Sequence, residues 1–364
     1  MNIVMLLTNS FDPDVRVYKE AVYLVRKGFQ VTILCWDRNA ESMLPQNEKK
    51  DGIRIVRFRV PSIAGTGYHQ IGAYLKYVHA CKGYLTKHKA NYIHCHDLDG
   101  MIVYRLMRTK KVPYIFDMHE FYIKGNGIKR KFLYYLIGEL IKKSQYSLYE
   151  NDGYLKIYPP KITKHLLSLK NYPDTYLKRL DKTESNKLRI AYHGCVRSQI
   201  PEFTTLFEAC KGMKNVQIDI HGGGVDLPQL KQLEKKYSNV SVHGPFDGLK
   251  ESTKLYQNTD VLFCGYDPTN PNFQGDAEVI KFYEAIVTGT PMIMTEGIGM
   301  AQKVRKHGFG ITVDTRNVAA VREKIEEILD NRGILEKYSQ NMLKAASNYQ
   351  WKEAVSILNK VYQE

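Results

Sequence analysis

The chain has 364 residues, 43% hydrophobic and 25% charged, which is globular composition with room for two cores. Its six cysteines, Cys35, Cys81, Cys95, Cys195, Cys210 and Cys264, form no CxxC pair, which argues against a cysteine zinc site or a disulfide framework. No apolar run approaches the ~20 residues of a membrane-spanning helix, so the expectation is a cytoplasmic chain, either free in the cytosol or peripheral on the inner face of the cell membrane.

Charge is unevenly placed. Residues 1–170 carry 28 Lys+Arg against 14 Asp+Glu, whereas 171–364 carry 25 against 24. A basic first half calls for an acidic partner: nucleic acid, an anionic lipid surface or a phosphate-bearing substrate. Nucleic acid rests on charge alone and is not expected.

In chain order, 2–7 reads as a buried strand and 15–27 as a helix closed by Gly28. Strands follow at 30–35 and 53–58, a Tyr- and Lys-rich helix at 72–88, and short strands at 92–95 and 114–117. A basic amphipathic helix at 129–143 leads to a strand at 146–149. This alternation predicts a parallel sheet covered on both faces. Residues 170–186, charged and weakly periodic, read as a linker. A second block has strands at 189–193, 216–220, 240–242, 261–264, 292–294 and 311–313. Its helices are 204–211, 227–236, 250–257, 278–288 and 318–329, and 333–347 and 351–362 end the chain as helices.

The most informative stretch is DAEVIKFYEAIVTGTP, from Asp276 to Pro291. It reads as loop, helix, tight turn and buried strand. A helix N-terminus offers free N–H groups and a positive dipole end to a diphosphate, and Glu284, about two turns in, can accept from sugar hydroxyls. The plain alternative is a crossover helix with a buried glutamate. The stretch resembles the acid-x7-acid motif of retaining GT-B glycosyltransferases of family 4, the glycosyl transferases group 1, in the variant where a Lys-Phe/Tyr-Glu-Ala run precedes Gly-x-Pro. Residues 8–21 are similar to that family's first loop and helix. Asp117-Met118-His119-Glu120 resembles its Asp-x-His-Glu, Asn171-Tyr172-Pro173 its interdomain Asn-x-Pro, and Trp351 its closing-helix aromatic.

The resemblance implies an α/β GT-B fold, with two facing Rossmann-like doubly wound domains and a C-terminal helix returning to the first. Residues 1–170 would bind the acceptor, 171–350 the nucleotide sugar, and 351–364 would form the closing helix. It implies retaining transfer from a nucleotide diphosphate sugar to a lipid-linked or phosphate-bearing acceptor, in bacterial-type cell-surface polysaccharide or glycoconjugate synthesis. His119 and Asp276 would meet the transferred sugar, and Arg197 and Lys281 the diphosphate. The remaining donor contacts would be Gly194, Gly222, Gly223, Phe246, Glu278 and Glu284. On the acceptor side stand Asn9, Ser10, Arg16, His96, Asp97 and Glu120. Arg16 has a second reading, as a partner of Asp12 or Asp14.

The chain departs from the family where a lysine usually stands six residues after the arginine. That position is Phe203, and Lys281 is the candidate substitute, with a solvated surface lysine as its alternative. Neither metal nor cofactor is implied, because such enzymes use protein cations. His94 and His96 share a strand face but lack a clear third ligand. Two rival functions stand beside transfer: a nucleotide-sugar 2-epimerase, and a non-catalytic GT-B partner subunit.

Overall fold

A computed structural model describes residues 1–12, 14–63, 67–108, 112–174, 177, 181–270, 273 and 279–362. The chain divides into two compact units, Met1–Asn171 with Glu353–Glu364, and Tyr172–Lys352.

The first unit is built on eight strands: β1 (Asn2–Leu7), β2 (Gln30–Asp37), β3 (Asn47–Lys50), β4 (Ile53–Arg59), β5 (Tyr92–His96), β6 (Tyr114–Met118), β7 (Tyr146–Tyr149) and β8 (Leu166–Ser168). Their order is β3-β4-β2-β1-β5-β6-β7-β8, parallel except for the antiparallel β3–β4 pair. The central strands are near-continuous apolar runs, as a sheet covered on both faces requires. Met5, Ile33, Ile93 and Ile115 are fully buried. The register Met5↔His94 and Cys95↔Phe116 brings the ends of β1, β5 and β6 together. The final residues of the chain also belong to this unit. Tyr362 packs edge-on against Tyr92 at 5.3 Å and shares a 2.7 Å hydrogen bond with His94 Nδ1.

The second unit holds β9 (Leu188–His193), β10 (Val216–His221), β11 (Val240–Gly244), β12 (Val261–Cys264), β13 (Met292–Thr295) and β14 (Gly310–Val313). They form one parallel sheet in the order β11-β10-β9-β12-β13-β14. After β11 the chain crosses back over β10 and β9 to add β12 on the other side of β9, so the carboxyl ends of β9 and its neighbours mark a switch point, where open α/β sheets take ligands. The helix Ile280–Thr288 precedes β13 and ends at Gly289, whose φ of 67° is the left-handed stop a C-terminal glycine supplies.

Two strands escaped the periodicity. β3 is Asn-Glu-Lys-Lys, wholly polar, and pairs only at the sheet edge; β8 has three residues. The helices Asp97–Met107 and Gly299–His307 were also not anticipated. Among the described residues, no helix is long and apolar enough to cross a membrane.

Candidate active site

In the first unit a charged network gathers at the carboxyl ends of β5 and β6. The helix Val15–Arg26 starts at Asp14, whose carboxylate accepts from Val17 N at 3.3 Å, and this cap fixes the direction of Arg16. The Arg16 guanidinium is 5% exposed and binds three carboxylates: Glu20 Oε1 at 3.2 Å, Asp117 Oδ1 at 2.8 Å and Glu150 Oε2 at 2.8 Å. A planar fork of five donors suits such a set.

Asp117 accepts on both oxygens, the second from His119 Nε2 at 3.1 Å. Burial would raise its pKa, but Arg16 and His119 hold it well below the usual carboxylate range. Glu20 goes the other way. Burial and the Asp117 charge push its pKa well above the ordinary value, against the opposing pull of Arg16 and His119. His119 stands between two carboxylates, with Nδ1 3.3 Å from Asp97 Oδ2. Burial and Arg16 push its pKa down, yet Asp97 and Asp117 prevail and carry it up to about 9. At neutral pH it is an imidazolium, a donor and a positive charge rather than a base. His96 lies behind it, Nδ1 3.2 Å from His119 Nε2, and burial with His94 lowers it to about 3. Asp97 sits at a left-handed φ of 60°, and its carboxylate also accepts from the Tyr122 hydroxyl.

The third ligand that His94 and His96 lacked in sequence is supplied by the fold. Glu20 and Asp117 bring ligand atoms within 4.8 Å of both imidazoles. The cation of this cluster is the Arg16 guanidinium, which already holds Glu20 Oε1 and Asp117 Oδ1.

In the second unit the loops leaving β9 and β10 run backbone against backbone. Gly194 N donates to His221 O at 2.9 Å and Val196 N to Gly223 O at 2.8 Å. The approach is so close that a Cβ on Gly222 would lie 1.6 Å from Gly194 O, so no side chain fits there. Over this junction stands Lys281, from the first turn of Ile280–Thr288. It is 7% exposed, with Nζ 3.5 Å from the centroid of the Tyr192 ring and 2.8 Å from where a Gly194 Cβ would be. A cation on a ring face is held without being neutralised, and among the described residues Lys281 pairs with no carboxylate. Arg197 is exposed beyond the same strand. Glu284, one turn after Lys281, accepts from Tyr256 OH at 3.0 Å. Phe246 stands 6.4 Å from the ring of His193, itself 3% exposed and with no hydrogen-bond partner for Nδ1 among the described residues.

The sequence matches the family described as Glycosyl transferase 4-like domain over residues 13–145. It matches the family described as Glycosyl transferases group 1 over residues 199–348. The chain belongs to the GT4-like group 1 glycosyltransferases. Sequence comparison with curated proteins finds no match. Its architecture is similar to that of sucrose-phosphate synthase from Thermosynechococcus elongatus, with TM-score 0.78 at 15% identity, covering 100% of this chain and 98% of that one. HepE from Anabaena, solved with UDP and glucose, gives 0.71 at 11%, covering 99% of each chain. WaaG, a glycosyltransferase involved in lipopolysaccharide biosynthesis, gives 0.67 at 15%, covering 98% and 99%. These likenesses identify the fold as GT-B.

For this glycosyltransferase the structure sorts the expected site residues. Gly194, Gly222, Gly223, Arg197 and Lys281 gather at the carboxyl ends of β9 and β10. Lys281 is no solvated surface lysine. Phe203 is 1% exposed and packs edge-on against Tyr192 at 5.0 Å, so the position of the usual lysine is core. Asp276 and Glu278 lie outside the described residues.

Two acceptor-side expectations need correction. Arg16 and His96 are both buried, Arg16 among Glu20, Asp117 and Glu150 rather than beside Asp12 or Asp14, so they support the site from behind. Asn9 is exposed and donates to Asp14 Oδ2 at 3.0 Å, and the Ser10 carbonyl accepts from Arg57. Glu120 is 71% exposed and 3.8 Å from Lys124. Sequence reading missed Glu20, Glu150, Tyr192 and His193. Only the unusual glutamate one turn after Arg16 carried a signal, an i,i+4 ion pair.

Proposed function

We propose that this glycosyltransferase takes its sugar from a nucleoside diphosphate sugar and passes it, with retained configuration, to an acceptor presented at an anionic membrane surface. The observation that carries the donor half is Lys281. A buried cation with no carboxylate partner among the described residues is fixed on the Tyr192 ring beside a backbone cradle of glycines. In glycosyl transfer, negative charge grows on the departing diphosphate, and a preorganised cation is worth most where charge develops. Lys281 takes over from the absent lysine, and Arg197 supplies a planar fork for phosphate oxygens. Glu284, oriented by the Tyr256 hydroxyl, accepts from the ribose. HepE solved with UDP and glucose supports a donor of this class.

His119 serves the transferred sugar as a donor. Both its nitrogens are engaged, and Asp97, 41% exposed, is the partner that a sugar hydroxyl displaces. Asp276 faces the same sugar in this reading, and Glu278, Gly223 and Phe246 complete the donor contacts. Asn9, Ser10 and Glu120 belong to the acceptor side. WaaG, involved in lipopolysaccharide biosynthesis, supports a lipid-linked acceptor and a role in cell-surface polysaccharide synthesis. The helix Gly127–Lys143 supports the membrane surface. Ile128, Phe132 and Tyr135 project from it 88%, 63% and 70% exposed, beside the exposed Lys129, Arg130 and Lys131.

The test of the donor half is a screen of nucleoside diphosphate sugars for thermal stabilisation and slow hydrolysis. One donor should raise Tm with concentration and be hydrolysed with retention. A protein that no nucleotide sugar stabilises would overturn the reading.

A further inference from the structure

A row of imidazoles crosses the carboxyl ends of β9, β10 and β11. His193 lies 5.6 Å from His221, and the His221 and His243 rings stack at 4.2 Å, tilted by only 4°. Asp219 precedes His221 by two residues and so shares its face of β10. Its Oδ1 is 2.8 Å from His243 Nε2. The strand register explains the grouping. Asp219 pairs with Ser241 and Ile220 with Val242, then a bulge shifts His221 opposite Gly244. His243 is the residue the bulge adds, and its ring therefore reaches both His221 and Asp219. One ligand atom from each of the three lies within 4.8 Å of the others. The group is open to solvent, with Asp219 24% and His243 45% exposed.

We propose that Asp219, His221 and His243 form a site for one borderline divalent transition ion of the zinc or cobalt type. Two imidazoles and one carboxylate are the donor set such ions select, whereas magnesium and calcium prefer oxygen alone. Three protein ligands leave positions for water or for an oxygen or nitrogen of a bound molecule. Metal–ligand bonds of about 2.0–2.2 Å put tetrahedral ligand atoms about 3.3 Å apart, a spacing small side-chain rotations reach here. The ion takes the place of the hydrogen bond between His243 Nε2 and Asp219 Oδ1. The cluster of Glu20, His94, His96 and Asp117 takes no ion, because the Arg16 guanidinium fills that role. The proposal is independent of the sugar donor, and its test reads metal directly.

Untagged protein is titrated with cobalt(II) in excess magnesium, following visible absorption and heat. One cobalt per chain should bind, displaced by zinc. His243→Ala should weaken binding about tenfold or more, in keeping with the loss of one of three ligands. His243 is exposed, so the variant should fold, and circular dichroism checks this. Asp219→Asn is the second variant, expected to act in the same direction. Absence of a cobalt spectrum, displacement by magnesium, or wild-type affinity in both variants would overturn the site.

Discussion

Lys281 and His119 are the two residues whose surroundings most sharply limit what they can do. Lys281 lies on the Tyr192 ring with no carboxylate partner among the described residues, so its charge is available to a ligand. Lys281→Ala should weaken binding of the nucleoside diphosphate by roughly 1.5–3 kcal/mol, the range for hydrogen bonds to charged groups. Calorimetry measures it, and unchanged affinity would return Lys281 to a packing role. Glu284→Ala should abolish transfer with the fold intact by circular dichroism; turnover within about threefold of wild type, under 1 kcal/mol of barrier, would remove Glu284 from the donor site.

His119 carries a pH prediction. Unfolded, its imidazole titrates near 6.5; folded, Asp97 and Asp117 overcome burial and Arg16 and hold it up to about 9. A raised pKa means that the fold binds the proton more tightly than the unfolded chain does. Its contribution to stability is full below about 6.5 and is lost as pH rises through about 9. Asp97→Asn should lower the His119 titration, read by NMR, by about 1 unit or more, since an adjacent opposite charge shifts a pKa by 1–3 units. It should also flatten the fall in stability between those pH values. An unmoved titration would assign the shift to Asp117 alone.

At the scale of elements, the sequence told most where side-chain period and burial agree. β7 and β12 were placed at their bounds, and the Gly289 stop of Ile280–Thr288 was read from its turn residues. β3 was invisible because an edge strand of Asn47-Glu48-Lys49-Lys50 has no apolar face to read. The site was legible where chain order keeps its parts together, as in Lys281 and Glu284 on one helix. It was hidden where strands from distant segments meet: nothing in sequence places Glu150 beside Arg16, or His243 beside Asp219.

The helix Gly127–Lys143 has two unlike faces. Ile137, Leu140 and Ile141 pack into the core, while Ile128, Phe132 and Tyr135 stay outside. Lys142 and Lys143 are paired with Glu139, whereas Lys129, Arg130 and Lys131 pair with no carboxylate among the described residues. Each such cation near an anionic surface contributes about 1 kcal/mol. Neutralising all three should therefore strongly reduce co-sedimentation with anionic vesicles, and high salt should do the same to wild type. Phe132→Ser should weaken binding at high salt too, because apolar insertion is not screened. Indifference of the wild type to anionic vesicles at low salt would end the case for a membrane-borne acceptor.

At the scale of the whole molecule, the chain begins in the first unit, builds the second, and returns to finish the first. The returning segment is part of the first unit's core rather than an appendage. Leu358 and Val361 are fully buried, the Tyr23 hydroxyl donates to Asn359 Oδ1 at 2.8 Å, and Tyr362 packs on Phe29 and Tyr92. Tyr362 also reaches His94 Nδ1, and His94 Nε2 lies 3.7 Å from both Glu20 and Asp117. The last turn of the chain thus buttresses the network that sets the charge of His119. Deleting residues 357–364 strips that cover from β1 and β5 and leaves a buried imidazole without its hydroxyl partner, a loss of the kind that costs about 1–3 kcal/mol before packing is counted. Stability within a protein is not uniform, and a local loss shows first in the elements it touches. Hydrogen exchange followed by mass spectrometry should accelerate in peptides covering β1 and β5 of the truncated chain and stay unchanged in those covering β9 and β13. Acceleration spread evenly over both units, or none at all, would mean that the terminal segment does not stabilise the first unit in the way its packing implies.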